Sequence, residues 1–256
     1  MKVVSFNIRN VWAGDGINSF MHRIGLIYQK INAENPDVIG FQEIMPVHYD
    51  ILVKLFPDYE FFGSGRKKDL SSEGLYTAYK KDSFTAVKQE IFWLSDTPSV
   101  PESRFTHQST CPRICVVTKL YHKASGNFIT FYNAHLDHIT IKDIPQEENA
   151  RAKGLDCILN HVKNSDNTGV IILGDFNASP NEYCISLMEN AKMCDVTKNL
   201  DVTFHGYGDP NRFMKIDYIF LSPDLALKAT PASVWDDTIN GIYLSDHYPV
   251  VTDIDI

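Results

Sequence analysis

The stretch Val170-Ile171-Ile172-Leu173-Gly174-Asp175-Phe176-Asn177 is apolar for four residues and then turns abruptly polar. A short apolar run bounded by turn residues reads as a buried strand, and the acid and amide behind it stand where a rigid scaffold can hold them. The same pattern recurs along the chain. Asn7 follows Val3-Val4-Ser5-Phe6, Gln42-Glu43 follow Val38-Ile39-Gly40-Phe41, and Asn133-Ala134-His135 follow Phe128 to Tyr132. Asp217 lies inside Ile216-Asp217-Tyr218-Ile219, and Ser245-Asp246-His247 stand before a final strand, Tyr248 to Ile254. Side chains able to bind metal or phosphate are thus gathered where strands end, as functional residues in compact domains often are.

Around these points, residues 2–8, Asp37 to Glu43, Tyr59 to Phe62, Gly74 to Tyr79, Phe84 to Leu94, Ile114 to Tyr121, Asn127 to Ala134 and Lys215 to Leu221 read as strands. Ser19 is placed to cap a helix carrying Ile24, Ile27 and Ile31, and Pro46 to Leu55 reads as a second helix. Pro145 to Val162 is predicted as a helix from its proline start, its first-turn acids and the stripe Ala152, Leu155, Leu159 and Val162; Pro180 to Asn190 is predicted as another. Residues 95–112 read as a long surface loop. Consecutive strands in mid-chain favour sheet packed on sheet with helices outside over a parallel doubly wound sheet. A length of 256 residues fits a single domain, 1–256.

Composition narrows the function. At 44% hydrophobic and 22% charged, the chain is an ordinary globular one, which excludes disorder and coiled coil. A net charge of −8 argues against sequence-independent grip on long nucleic acid, which needs Lys and Arg to displace counterions, yet it leaves room for a metal ion and a small phosphate. The 5 cysteines form no CxxC pair, so neither a disulfide framework nor a zinc site is indicated. No stretch has the length of a membrane span and none near residue 1 resembles a signal peptide, so the expected location is the cytoplasm, with no membrane and no obligate protein partner.

The clustered residues are acids, amides and histidines, with no nucleophile elbow for acyl transfer. Such oxygen donors suit Mg²⁺ or Mn²⁺, which need only one or two protein carboxylates beside waters and a substrate phosphate. The ordered set Ser5-Phe6-Asn7-Ile8, Gln42-Glu43, Asn133-Ala134-His135, Gly174-Asp175-Phe176-Asn177, Ile216-Asp217-Tyr218-Ile219 and Ser245-Asp246-His247 resembles the endonuclease/exonuclease/phosphatase superfamily. Glu73-Gly74, Phe92-Trp93-Leu94-Ser95, Pro112-Arg113 and His135-Leu136-Asp137-His138 are similar to the branch containing carbon-catabolite-repressor-type deadenylases and their bacterial relatives. The resemblance implies an α/β (α+β) fold, a four-layer α/β/β/α sandwich of two mainly antiparallel sheets with helices on the outer faces.

It also implies roles. Glu43 is the expected metal ligand, with Asn7 and Asp246 near the metal or its waters, and the cofactor is Mg²⁺ or Mn²⁺. Asp175 activates the attacking water, Asn177 fixes it, His247 held by Asp217 faces the phosphate, and His135 donates to a phosphate oxygen. Arg113, Asn133 and His138 are expected substrate contacts. Arg9 stands where the DNA-repair endonucleases carry an acid, which points to one tightly held metal and away from that branch. The expected activity is hydrolysis of a phosphodiester, on a nucleotide or short RNA 3′ end. The alternatives are a phosphatase or phosphodiesterase of a small metabolite or lipid headgroup and, in another class, a catalytically silent binding module.

Singly, each residue has a plainer reading. Asn7 could cap a strand end, and Glu43 and Asp175 could be solvated turn acids. Arg113 could serve a structural salt bridge as readily as a phosphate. Asp217 is different, because a carboxylate inside an apolar strand is costly without a partner.

Overall fold

The computed structural model describes residues 1–165 and 168–256. Its elements, in chain order, are β1 (Lys2–Asn7), α1 (Phe20–Glu34), β2 (Val38–Ile44), α2 (Pro46–Leu55), β3 (Tyr59–Gly65), β4 (Gly74–Lys80), β5 (Phe84–Trp93), β6 (Ile114–His122) and β7 (Phe128–His135). There follow α3 (Ala150–Lys163), β8 (Val170–Asp175), α4 (Tyr183–Asn190), β9 (Cys194–Asp195), β10 (Asp217–Leu221), α5 (Pro223–Ala226), β11 (Ser233–Val234), the pair β12 (Thr238–Ile239) and β13 (Ile242–Tyr243), and β14 (Val250–Asp253).

Two six-stranded sheets result, ordered β11-β14-β1-β2-β4-β3 and β5-β6-β7-β8-β10-β9. Each is antiparallel except at one internal pair, β1/β2 in the first sheet and β7/β8 in the second. Those parallel pairs matter most for the site. Two parallel neighbours end on the same side, so each sheet delivers a pair of strand ends to one edge of the sandwich.

Alternation along each strand sorts side chains into layers. Val3 and Val38 of the first sheet meet Phe131, Ile171, Leu173 and Ile219 of the second in the space between the sheets. Val4, Phe6, Ile39 and Phe41 point the other way, onto Phe20, Ile27 and Ile31 of α1 and Leu52 of α2. Tyr132, Ile172, Tyr218 and Phe220 pack outward against Ala152, Leu155 and Ile158 of α3 and Ile185 and Met188 of α4. This is the expected four-layer sandwich. Each fully buried Val, Ile or Phe contributes roughly 1.5–3 kcal/mol.

At Gly40 the two sheets face each other closely: a β-carbon there would stand 2.2 Å from Leu173 Cδ1, so a larger residue requires that side chain to move.

Several boundaries differ from expectation. The helix predicted from Pro145 begins as an α-helix only at Ala150, because Asn149 caps it by accepting from the Arg151 N–H, while Gln146–Glu148 form a separate 3-10 turn. The helix predicted from Pro180 starts at Tyr183. Asp217 opens β10 instead of lying inside it. Residues 95–112 form neither helix nor strand, yet they are anchored, since Ser109 N–H and Oγ both donate to the buried Asp137 carboxylate. No helix of the described residues is long and apolar enough to cross a membrane.

Candidate active site

The inter-sheet layer is graded along the strands. Beyond its apolar part comes a polar brace: Gln42 Nε2 donates to Asn133 Oδ1 at 2.8 Å, and Asn133 Nδ2 donates to the carbonyls of Phe41 and Tyr76, both at 3.1 Å. Asn133 is fully buried and its amide is spent on tying the two sheets together. Asn133, an expected substrate contact, thus lies behind the wall of the site with its amide bonded to both sheets.

Beside and beyond this brace lies the cluster. β1 ends at Asn7, β7 at His135, β8 at Asp175, and Asp217 pairs in register with Asp175. Alternation places Asn7, His135 and Asp175 on the inter-sheet face. It would place Glu43 on the opposite face, alongside Phe41. A β-bulge between Phe41 and Ile44 and a φ of 62° at Glu43 turn its carboxylate back toward the site, at the cost a non-glycine residue accepts in the left-handed region.

Asn7 Nδ2 is the hub. It donates to Glu43 Oε1 at 3.1 Å and Asp175 Oδ2 at 3.0 Å, and its orientation is fixed because Oδ1 accepts from the Arg9 N–H at 3.0 Å. His247 Nδ1 lies 2.8 Å from Asp217 Oδ2, while its Nε2 faces Asp175 Oδ2 at 3.8 Å. Burial alone would lower the His247 pKa, but Asp217, Asp175 and Asp246 outweigh it and hold the imidazolium up to about 10. Both ring nitrogens of a charged imidazole donate, so the 3.4 Å approach of Nε2 to Asn7 Nδ2 is a contact between donors.

Asp175 is pushed up to about 7 by burial and by Asp217, against the opposing pull of His247. Its Oδ1 accepts from the Asn177 N–H at 2.9 Å, whereas the Asn177 amide donates to the Leu136 carbonyl at 3.2 Å. His135 Nε2 stands 3.3 Å from Asp175 Oδ2. Burial, then Arg113 and Arg66, drive the His135 pKa well below its ordinary value, so its ring is neutral. Asp246 is 2% exposed and lies 3.4 Å from Arg9 Nη1.

Arg113 and His138 stand at the flank, Arg113 Nη2 approaching His138 Nδ1 at 3.0 Å. Arg113 is buried, and its Nε and Nη1 have no hydrogen-bond partner among the described residues. The other unassigned histidines stay outside the cluster; His205, for instance, stacks on Tyr248 with centroids 3.9 Å apart.

Reading strand ends alone misses Glu73, Asn10 and Arg66. Glu73 accepts from Asn10 Nδ2 at 3.0 Å and Arg66 Nη1 at 2.8 Å, and the Asn10 N–H donates to Glu43 Oε2 at 2.7 Å. The acid directly before β4 in Glu73-Gly74 was the available signal.

The donor set fits a hard divalent cation. Glu43 is pushed upward by burial and by the neighbouring Glu73 and Asp246, and a cation among these oxygens would relieve that repulsion. Asp175, Asp217 and His247 also offer ligand atoms within 4.8 Å of one another. His247 Nδ1, however, is occupied by its bond to Asp217, so the oxygens of Glu43 and its neighbours are the better seat. A cleft of about 790 Å³ between β5, residues 95–105 and α3 contains none of these side chains.

Residues 4–247 match the profile of the Endonuclease/Exonuclease/phosphatase family. Among solved structures, an endonuclease/exonuclease/phosphatase from Bacteroides vulgatus superposes with TM-score 0.88 at 24% identity, covering 100% of this chain and 98% of that one. A mannosyl-6-phosphatase of Bacteroides thetaiotaomicron superposes with TM-score 0.85 at 26% identity, covering 100% of both chains. TDP2 of D. rerio, in complex with a single-strand DNA product, shares the fold with TM-score 0.74 at 20% identity, covering 100% of this chain and 99% of that one.

Proposed function

The chain belongs to the endonuclease/exonuclease/phosphatase family, and from that premise we propose that it hydrolyses a small phosphoester at the Asn7/Glu43/Asp175/His247 cluster. Members of the family are phosphoesterases that use divalent metal ions, so this is a phosphoric-ester hydrolase.

The observation that carries the reading is one buried carboxylate placed between two histidines, His135 Nε2 at 3.3 Å and His247 Nε2 at 3.8 Å from Asp175 Oδ2. Asp175, with a carboxyl near 7, is poised to take a proton from an attacking water, since a base works best when its pKa lies near the operating pH. Asn7 Nδ2 and the Asn177 N–H aim its two oxygens. His247 presents a fixed positive N–H where charge develops on the phosphate oxygens, and Asp217 keeps that ring charged and oriented. Neutral His135 supplies a further N–H on the other side of Asp175. Glu43, with Asn7 and Asp246 beside it, would hold a divalent cation, which would supply Lewis acidity at the substrate phosphate. Arg113 and His138 are proposed phosphate contacts: Arg113 Nη1 has no hydrogen-bond partner among the described residues and is suited to a phosphate oxygen, while Nε lies 3.8 Å from Asp137 Oδ1.

The net charge of −8 and the full-length likeness to a mannosyl-6-phosphatase favour a phosphorylated small molecule, such as a sugar phosphate or a nucleotide. A short RNA 3′ end is the second reading, favoured by the deadenylase-like Pro112-Arg113 and His135-Leu136-Asp137-His138. Phosphate release from sugar phosphates and nucleotides is to be compared with shortening of a labelled oligoribonucleotide, with Mn²⁺ present. Asp175→Asn should lower turnover by about 10²–10⁴-fold on the preferred substrate; undiminished turnover in that variant, or in the wild type under chelator, removes the mechanism.

A further inference from the structure

Arg113 holds its charge in a place almost without water. It is 4% exposed, and a guanidinium does not lose its proton in a protein, so it needs a counter-charge of fixed position. Its Nη2 approaches His138 Nδ1 at 3.0 Å. Guanidinium nitrogens only donate, so Nδ1 accepts and the neutral ring carries its proton on Nε2. Burial, and then Arg113 itself, lower the His138 pKa against the pull of Asp137, which keeps the ring neutral. The tautomer of His138 thus follows from where the Arg113 fork lies.

The carboxylate facing that fork is Asp137, whose Oδ1 lies 3.8 Å from Arg113 Nε, with side chains 1% and 5% exposed. Asp137 is itself braced on both sides. Its Oδ2 accepts from the Ser109 N–H at 3.0 Å and its Oδ1 from the Ser109 hydroxyl. Its backbone is pinned by Arg151, buried at the start of α3, which donates from Nη1 to the carbonyls of Asp137 and Ile139 at 3.3 and 3.1 Å and from Nη2 to Thr140 Oγ1 at 2.9 Å. The polar segment before β6, the first turn of α3 and the segment after β7 are therefore joined around one buried carboxylate, directly beneath the two side chains that flank the cluster.

We propose that Asp137 is a positioning residue: braced by Ser109 and Arg151, it fixes the Arg113 guanidinium, and through it the N–H of His138, in the arrangement that receives the oxygens of the substrate phosphate. This role rests on the reading of Arg113 and His138 as phosphate contacts. Asp137 itself touches no substrate. A contact made alike in the ground and transition states falls on binding when it is lost, with little effect on the chemical step.

Calorimetric titration of the full chain with inorganic phosphate, Mg²⁺ present, reads the arrangement without turnover. Asp137→Asn keeps the shape of the side chain and removes its charge. It is expected to weaken phosphate binding about tenfold and, on a phosphoester, to raise KM alike while kcat changes by less than about twofold. Arg113→Gln should weaken binding at least as much, and adding Asp137→Asn to it should cost nothing further, because Asp137 acts through Arg113. In proton–nitrogen NMR spectra the Arg113 Nε–H signal, identified by its loss in Arg113→Gln, should exchange slowly in the wild type and rapidly in Asp137→Asn. Unchanged phosphate affinity in a folded Asp137→Asn protein, a full additional loss in the double variant, or a wild-type His138 carrying its proton on Nδ1 overturns the role. If Asp137→Asn does not fold, Ser109→Ala, which takes the hydroxyl from Asp137, is expected to weaken binding about threefold; an unchanged affinity there overturns it instead. Weakened phosphate binding in Asp137→Asn beside a wild type that turns over no phosphoester refutes the phosphoesterase reading alone, and a wild type that binds no phosphate overturns both.

Discussion

Replacing Asp217 by Asn would isolate the charge that Asp217 lends to His247. The two atoms are 2.8 Å apart, and their side chains are 6% and 2% exposed, so the pair is a desolvated one. Removing one partner of a buried ion pair costs about 3–5 kcal/mol. Asn can still accept from Nδ1, which puts the expectation near the lower end, about 3 kcal/mol. For a domain of this size that lowers the melting temperature by about 6–12 °C. The effect carries its own pH signature. His247 titrates at about 10 in the folded chain against an ordinary value of 6.5, so the folded state binds the proton more tightly. Its stabilisation is complete below about pH 6.5 and is lost as pH rises toward 10. Melting curves of both proteins in chelator, from pH 6 to 10.5, should show a gap that is full at pH 6 and closes by more than half at the alkaline end. A gap below about 2 °C at pH 6, or one that stays constant across the range, would refute the ion-pair account.

Added Mg²⁺ should raise the melting temperature, and by more at pH 8 than at pH 5.5. Glu43, the proposed ligand, and Asp175 nearby both have raised pKa values, so protons compete with the cation on the acid side; a pH-independent rise counts against that seat. Gly40→Ala drives a β-carbon to 2.2 Å from Leu173 Cδ1 and should cost about 1–3 kcal/mol of unfolding free energy; an unchanged denaturation midpoint would show that the sheets have room there. Asn133→Ala should destabilise by a similar amount, about 1–3 kcal/mol, by removing one partner each from Gln42 Nε2 and from the Phe41 and Tyr76 carbonyls, while leaving KM unchanged. A raised KM at unchanged stability would return Asn133 to the substrate.

What the sequence determined by itself was the set of strands and the chemistry at their ends. An apolar run such as Val170–Leu173 can only be buried, and the switch from apolar to polar residues is local, so Asn7, His135 and Asp175 could be placed at strand ends from the chain alone. Asp217 announced its need for a partner by its apolar neighbours. Tertiary structure decided the rest. Glu43 reaches the site against alternation because a bulge and a left-handed backbone turn it there. Asn133 carries the same motif as its neighbours, yet it braces the sheets, because the close approach at Gly40 leaves its amide facing Gln42 instead of solvent. Arg9 reads in sequence as a missing acid, and only the fold shows it gripping Asp15 and aimed at Asp246. Glu73 and Asn10 join the site through loops whose paths no periodicity encodes. Strand patterns fix which face a residue shares; which oxygens and nitrogens then meet depends on the distance between two sheets that never touch in sequence.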